Sequence, residues 1–118
     1  MDIEQIRTYC LSKKGTTESF PFDAHTLVFK VAGKMYALCA LERFPVAISL
    51  KCEPDYALEL REKFPNAISG AYHMNKKHWN AVLPELLNPK TVQQLIDDSY
   101  RLVVTGLPKK TRDSLVEN

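Results

Sequence analysis

The chain has 118 residues and a mass of 13.5 kDa, which is the size of one domain. Its 45% hydrophobic and 25% charged residues exclude a disordered or fibrous protein, and no apolar run approaches the roughly 18 residues of a membrane-spanning helix. The net charge of +2 is too small to indicate a polyanionic partner by itself. Residues 1–5 carry two acids and lack the apolar stretch of a signal peptide, so we expect a cytoplasmic protein.

The first predicted element is a helix over residues 2–14. Asp2 and Gln5 have the spacing of a capping box, and Gly15 is typical of the position that follows a helix. Apolar residues recur at helical spacing, so one side of this helix is predicted to face the core. That side consists of Ile3, Ile6 and Cys10.

A hairpin follows, with strands over residues 26–32 and 35–41 and a predicted type II′ turn at Gly33-Lys34. This turn would bring the apolar side chains of the two strands opposite one another in one core layer. The predicted layer comprises Leu27, Phe29, Val31, Tyr36, Leu38 and Ala40. The second face of the sheet would carry Val28, Lys30, Ala37 and Cys39. A third strand over residues 45–51 alternates in the same way, with Ala47, Ser49 and Lys51 on the less apolar side.

Residues 54–64 predict a second helix, because Pro54 suits a first helical turn and Pro65 ends the helix. The remaining predicted elements are strands over residues 67–73 and 79–83 around a turn at 74–77, a helix over 89–106 and a polar tail over 108–118. Runs of strands interrupted by helices indicate an α+β class rather than strict βαβ alternation. The chain is therefore predicted to be a single α-β(3)-α-β(2)-α domain whose antiparallel sheet is covered by helices.

Motifs for catalysis or metal binding are not found in the sequence. It has no phosphate-binding glycine loop, nucleophile elbow or zinc-protease helix motif. Cys10, Cys39 and Cys52 lack metal-ligand spacing, and His73 and His78 have no recognisable further ligands nearby. Cys52 precedes a helix that could lower its pKa, but a packed thiol is the commoner case. We therefore expect a non-enzymatic protein without a metal or cofactor.

The stretch over residues 63–84 is basic, with three lysines and no acid. It includes the lone tryptophan, Trp79, beside two lysines, two histidines and an asparagine. Lysines attract phosphates, and an asparagine can bond a phosphate or a base edge. The alternative is structural: Trp79 anchors the hairpin, Asn75 serves the turn and the lysines are solvated. The candidate nucleic-acid contacts are Lys76 and Lys77, with His73, Asn75 and His78 beside them and Lys30 and Lys51 extending the surface; Lys109, Lys110 and Arg112 could form a second patch.

The sequence resembles the MmcQ/YjbR family of small bacterial proteins over almost its whole length. The resemblance rests on segments 18–22, 28–31, 33–35, 49–52, 58–61, 95–100, 102–104 and 107–110, and above all on Tyr72-His73-Met74-Asn75-Lys76-Lys77-His78-Trp79. It implies the α-β(3)-α-β(2)-α fold and DNA binding of the kind ascribed to the "double wing" of a phage transcription factor. One departure is Leu83-Pro84-Glu85, where members often have a Leu-Asp-Gly turn.

Three functions are compatible with the sequence. The first is a DNA-binding protein whose basic hairpin tip contacts double-stranded DNA with little sequence specificity. The second is a protein-interaction module, either dimeric or similar to the type III secretion chaperones of related architecture, which would dock through the second sheet face. The third is a small-molecule pocket, for which aromatic residues are candidates, although aromatics more often fill the core of a small domain. Those aromatics are Phe20, Phe22, Tyr36, Tyr72 and Trp79.

Overall fold

A computed structural model of the protein describes residues 1–71 and 74–117, the last two of these by backbone alone. The helices are α1 (Ile3–Leu11), α2 (Pro54–Lys63), α3 (Pro89–Thr105) and α4 (Lys109–Glu117). The strands are β1 (Thr16–Ser19), β2 (Thr26–Val31), β3 (Lys34–Ala40), β4 (Ile48–Lys51), β5 (Ile68–Gly70) and β6 (Trp79–Val82). The strands form one antiparallel sheet in the order β1-β2-β3-β4-β6-β5.

The predicted α+β class is confirmed, and three elements of the described residues were not predicted: β1, α4 and a short 3-10 helix over Pro84–Leu86. The edge strand β1 has no apolar alternation, because its sequence is Thr-Thr-Glu-Ser, and it forms by pairing with β2. Glu18 of β1 also receives two hydrogen bonds from Arg7 of α1, with Nε 2.7 Å from Oε2. The segment interpreted as a polar tail contains helix α4, whose Leu115 packs against the core. The capping box of α1 is present as predicted. The amide of Asp2 donates to Gln5 Oε1 and the amide of Gln5 donates to Asp2 Oδ1, both at 2.9 Å.

The predicted hairpin turn was wrong by one residue, and the strand pairing beside it was therefore wrong by two. The turn residues are Ala32 and Gly33, with φ of 50° and 78°, so Val31 pairs with Lys34. Two successive positive φ values belong to a type I′ turn, whereas the predicted type II′ turn starts one residue later. Lys30 pairs with Met35, and the next pair is Phe29 with Ala37. Tyr36 is therefore an extra residue in β3 without a partner in β2, which is a β-bulge.

The bulge exchanges the faces of β3 from Ala37 onward, because one extra residue turns every later side chain over. Ala37 and Cys39, predicted on the second face, are fully buried in the core. Leu38 and Ala40, predicted in the core layer, lie on the second face instead. Tyr36, which precedes the exchange, stays in the core, where the β2 side chains Leu27, Phe29 and Val31 also lie as predicted.

The helices cover one face of the sheet. Helix α3 packs across β3 and β4, with α2 beside β5 and α1 beside β1. The core lies between these helices and the sheet, and its largest fully buried side chains include Tyr36, Phe29, Ile6, Ile48 and Ile96. The second face, which we call the open face, carries Thr26, Val28, Lys30, Met35, Leu38, Ala40, Ser49, Lys51, Trp79 and Ala81.

A buried serine joins α3 to the two central strands. Ser99 Oγ donates to the carbonyl oxygen of Tyr36 at 2.6 Å and accepts from the amide of Lys51 at 2.8 Å. Ser99 is 0% exposed. The bulge takes Tyr36 out of the β2–β3 ladder, and the Ser99 hydroxyl supplies a partner for its carbonyl group. This one side chain therefore satisfies backbone groups on β3 and β4 where the ladder alone does not.

All three cysteines are buried free thiols. Burial raises the pKa of Cys10 to about 12 and also raises the pKa of Cys39. At Cys52, burial and the nearby carboxylates of Asp98 and Glu53 raise the pKa to about 11, the opposite of the lowering that a helix start could produce. Within the described ranges, no cluster of His, Cys, Asp and Glu could hold a metal ion, and no helix could span a bilayer.

Candidate functional site

The basic hairpin tip is a hydrogen-bonded turn between β5 and β6. The amide of Met74 donates to the carbonyl of Ala71 at 2.9 Å, and the amides of His78 and Trp79 both donate to the carbonyl of Asn75 at 3.0 Å. The side-chain oxygen of Asn75 accepts from the amide of Lys77 at 3.0 Å. Asn75 therefore serves the turn, as the structural alternative predicted. His73 lies outside the described residues.

Lys76 and Lys77 are both exposed at this tip. Of the ion pairs found in residues 1–71 and 74–117, none involves either lysine. Their charges are therefore not neutralised by a carboxylate of the described part of the chain. His78 is half-buried, and its carbonyl oxygen accepts from the amide of Cys52 at 2.7 Å, which ties the tip to the end of β4.

An arginine on α2 holds the tip from the helix side. Arg61 Nε donates to Asn80 Oδ1 at 2.8 Å, and Arg61 Nη2 donates to the carbonyl oxygen of Lys76. Asn80 is 2% exposed, and its Nδ2 donates to the carbonyl of Ala57 at 3.3 Å. A Cβ at position 70 would lie 3.3 Å from both Arg61 Cζ and Lys76 Cγ, so glycine allows this close packing. We call Arg61 and Asn80 the arginine bracket.

The sequence interpretation missed the arginine bracket. One signal was available: in the alternation of β6, Asn80 falls on the same inward side as Val82, and a buried amide requires hydrogen-bond partners. The bracket also separates the predicted site residues. The stem of Lys76 lies against Gly70 and Arg61 on the helix side, whereas Asn75 and Trp79 line the open face.

The other predicted lysines, Lys30 and Lys51, are half-buried on the open face. Lys51 is directly opposite Trp79 in the β4–β6 ladder, and Lys30 is opposite Met35 in the β2–β3 ladder. Both positions are at the end of the sheet from which the tip projects, because Trp79 is the first residue of β6 after it. The structure thus brings Lys30, Lys51, Lys76 and Lys77 to one end of the sheet, which we call the cationic end. The second predicted patch lies on α4, where Arg112 Nη1 donates to the carbonyl of Thr105 on α3 at 3.3 Å.

A groove of about 710 Å³ runs over the open face. Leu38, Ser49 and Ala81 form its floor, since they are paired across β3, β4 and β6. Its cationic end is lined by Met35, Ala71, Met74, Asn75 and Trp79, and its far end by Phe22, Asp23, Thr26, Ala40, Arg43 and Ala47. We call this cavity the open-face groove. Volumes of roughly 300–1,000 Å³ are typical of ligand sites.

The five candidate aromatics have different environments. Trp79, which is half-buried, and Phe22 line the groove, Tyr36 lies in the core and Phe20 is 48% exposed, while Tyr72 is outside the described residues. The predicted docking face, whose apolar residues were Val28, Ala37, Cys39 and Ala47, is also corrected. Ala37 and Cys39 belong to the core, and only Val28 and Ala47 of these four face away from the helices. The bulge explains this correction, because it turns Ala37 and Cys39 inward and brings Leu38 into the groove floor instead.

The far end of the groove combines apolar with charged side chains and is partly ordered by one aspartate. The carboxylate of Asp23 accepts from the amides of His25 at 2.8 Å and Thr26 at 2.7 Å, and these hydrogen bonds hold the pKa of Asp23 below its usual value. Four exposed apolar residues lie in the loops at this end of the sheet. They are Phe20, Phe22 (63% exposed), Leu41 and Phe44 (91% exposed).

Comparison with known proteins gives consistent matches. The family model described as YjbR matches residues 11–102. The uncharacterized protein YbdF of Escherichia coli O157:H7 is 40% identical over 92 residues, which cover 77% of this chain and 75% of that one. The uncharacterized protein YjbR of Escherichia coli K12 is 31% identical over 118 residues, which cover 99% of each chain. The crystal structure of Deinococcus radiodurans DR2400, from domain family DUF419, superposes with a TM-score of 0.89 at 38% identity and covers 96% of this chain and 86% of that one.

Proposed function

The chain belongs to the YjbR family, and we propose that it is a non-enzymatic DNA-binding protein that contacts phosphates through the cationic end of its sheet. The observation that carries the proposal is the exposure of Lys76 and Lys77 on a braced turn, without an ion-pair partner among the described residues. Fixed, unpaired ammonium groups attract the phosphate backbone of a nucleic acid and release its counterions.

The arrangement favours weak sequence specificity. Lysine is a flexible point charge, whereas base reading in the major groove most often uses the planar fork of arginine. The arginine nearest the tip, Arg61, is already bonded to Asn80 and to the backbone of Lys76. Double-stranded DNA would therefore be held through its phosphates. A cytoplasmic location is part of this proposal, because three buried free thiols suit a reducing compartment.

The salt dependence of binding tests this function. With three or four phosphates contacted, log K for a short duplex should fall with log salt at a slope of about −3 to −4. The measurement is a fluorescence anisotropy titration of labelled duplex over a series of salt concentrations. Absence of binding at low salt, or an affinity independent of salt, would refute phosphate contact as the basis of function.

A second candidate function is favoured by the exposed apolar residues at the far end of the groove. Phe44 is 91% exposed and Phe22 63% exposed, and neighbouring exposed aromatics are typical of protein interfaces. The candidate is self-association through this end. Sedimentation equilibrium should then give a mass above that of one chain, and Phe44→Ser should return it to the monomer mass. A monomer mass at all concentrations would exclude it.

A further inference from the structure

We propose that the open-face groove receives one unstacked base, so that the protein binds single-stranded nucleic acid more tightly than duplex. This inference rests on the phosphate contacts proposed above and adds a binding site for a base. The starting observation is that the lone tryptophan lines the groove at the cationic end of the sheet, directly opposite Lys51.

The walls of the groove suit the flat face of a base. Trp79 lines the cationic end with Met35, and Leu38 and Ala81 supply an apolar floor beside them. Bases of every kind stack on an indole, because each has a π face, and such stacking contributes about 1–3 kcal/mol per base. The groove volume of about 710 Å³ is large enough for one base.

The charge beside Trp79 suits a nucleotide rather than an apolar ligand. Lys51 pairs directly with Trp79 across the β4–β6 ladder and shares its face of the sheet. Lys77 is exposed on the turn that precedes Trp79, whereas the stem of Lys76 lies on the helix side. A base seated on Trp79 would thus have a flanking phosphate beside Lys51. An apolar peptide or lipid would fill the floor but leave this ammonium group without a partner, whereas a nucleotide provides both an apolar face and an anion.

Polar groups are available for the edge of the base. Asn75 lines the groove and uses its side-chain oxygen for the turn, so its Nδ2 group remains as a donor among the described contacts. The hydroxyl of Ser49 lies in the groove floor and can donate or accept. A pair of adaptable groups tolerates several bases, so we expect little discrimination between base types.

A duplex cannot use this groove without distortion. In a duplex each base is stacked and paired, whereas the groove is walled by the turn and by the loops at its far end. A base must leave its stack to reach the floor, which a single strand allows at much lower cost. The preference for single strands follows from this difference in cost, because both forms offer phosphates to the lysines.

Trp79 itself reports occupancy, since it is the only tryptophan in the chain. The full chain is titrated with oligo(dT), oligo(rU) and a mixed-sequence duplex, each about 12 units long to match common site sizes. We expect both single strands to quench Trp79 emission and to bind about tenfold more tightly than the duplex. A preference for one single strand over the other would distinguish DNA from RNA as the source.

A variant that fills the groove floor separates the contribution of the groove to binding from the contribution of the lysines. Ala81→Leu should abolish the quenching and the single-strand preference while duplex affinity and its salt slope stay unchanged. Thr111→Leu, on an exposed position of α4, adds apolar bulk elsewhere and should behave as the unmodified chain. Circular dichroism verifies that both variants fold. The comparison of single strands with duplex on the unmodified chain tests the inference even if a variant does not fold.

The outcomes distinguish this inference from the function on which it rests. Equal affinity for duplex and single strand, with unquenched Trp79, would overturn the base-binding groove and leave the phosphate contacts intact. Quenching that persists in Ala81→Leu would also overturn it, because the base would then lie outside the floor. Failure of every probe to bind at low salt would overturn both proposals.

Discussion

Replacing Lys76 and Lys77 together by glutamate should weaken duplex binding by about 100-fold at low salt, because each lost phosphate contact removes the release of about one counterion. The salt slope should become shallower by about 2 for the same reason. Anisotropy titrations of one labelled duplex over a series of salt concentrations measure both quantities. The fold should be unaffected, since both side chains are exposed and lack ion-pair partners in the described part of the chain.

The matched control is Lys109→Glu with Lys110→Glu, a second pair of adjacent exposed lysines on α4. It changes the net charge by the same amount at a different place. If both double variants lose affinity equally, overall charge rather than the hairpin tip governs binding, and the assigned contacts are wrong. If the control alone loses affinity, the second basic patch is the interface.

Replacing Ser99 by alanine should lower the free energy of unfolding by about 2–6 kcal/mol, because it leaves two backbone groups without their partner at about 1–3 kcal/mol each. Those groups are the carbonyl of Tyr36 and the amide of Lys51. Urea denaturation followed by Trp79 emission measures the change. The lost atom is one oxygen, so the cavity left behind contributes little.

Thr105→Ala is the control for this prediction. It removes a hydroxyl from the same helix that donates to the carbonyl of Leu102 at 3.1 Å, but at an exposed position. Its effect should stay within about 0.5 kcal/mol, as for most surface substitutions. Equal unfolding midpoints for Ser99→Ala and the unmodified chain would show that water replaces the hydroxyl, contrary to the role given to Ser99.

The elements with strong local signals could be predicted from the sequence. Helix starts depend on side chains within one turn of the boundary. The structure has the three starts that these signals indicate: the capping box of Asp2 and Gln5, α2 at Pro54 and α3 after Asn88. The hairpin register could not be predicted, because Ala32 adopts φ of 50°, a conformation that favours glycine or asparagine. Nothing local distinguishes this turn from one starting at Gly33.

Only the lysines of the candidate site could be predicted from the sequence, because the other parts of the site depend on tertiary contacts. Charge and exposure at Lys76 and Lys77 are properties of the residues themselves, so the sequence indicates them directly. The open-face groove depends on which strands are neighbours and on the register that turns Leu38 outward. The partnership of Arg61 with Asn80 joins residues on a helix and a strand that are distant in the chain, and only the assembled sheet brings them together.

The arginine bracket has a consequence for the cost of recognition. Because Arg61 and the Asn75 side chain both bond the backbone of the tip, the described residues of the turn, 74–78, are braced before any partner arrives. A preorganised loop gives up little conformational entropy on association, so its affinity is not reduced by an ordering penalty. The tip is therefore suited to rapid, rigid-body encounter, with its rate governed by diffusion and electrostatic attraction rather than by folding of the loop.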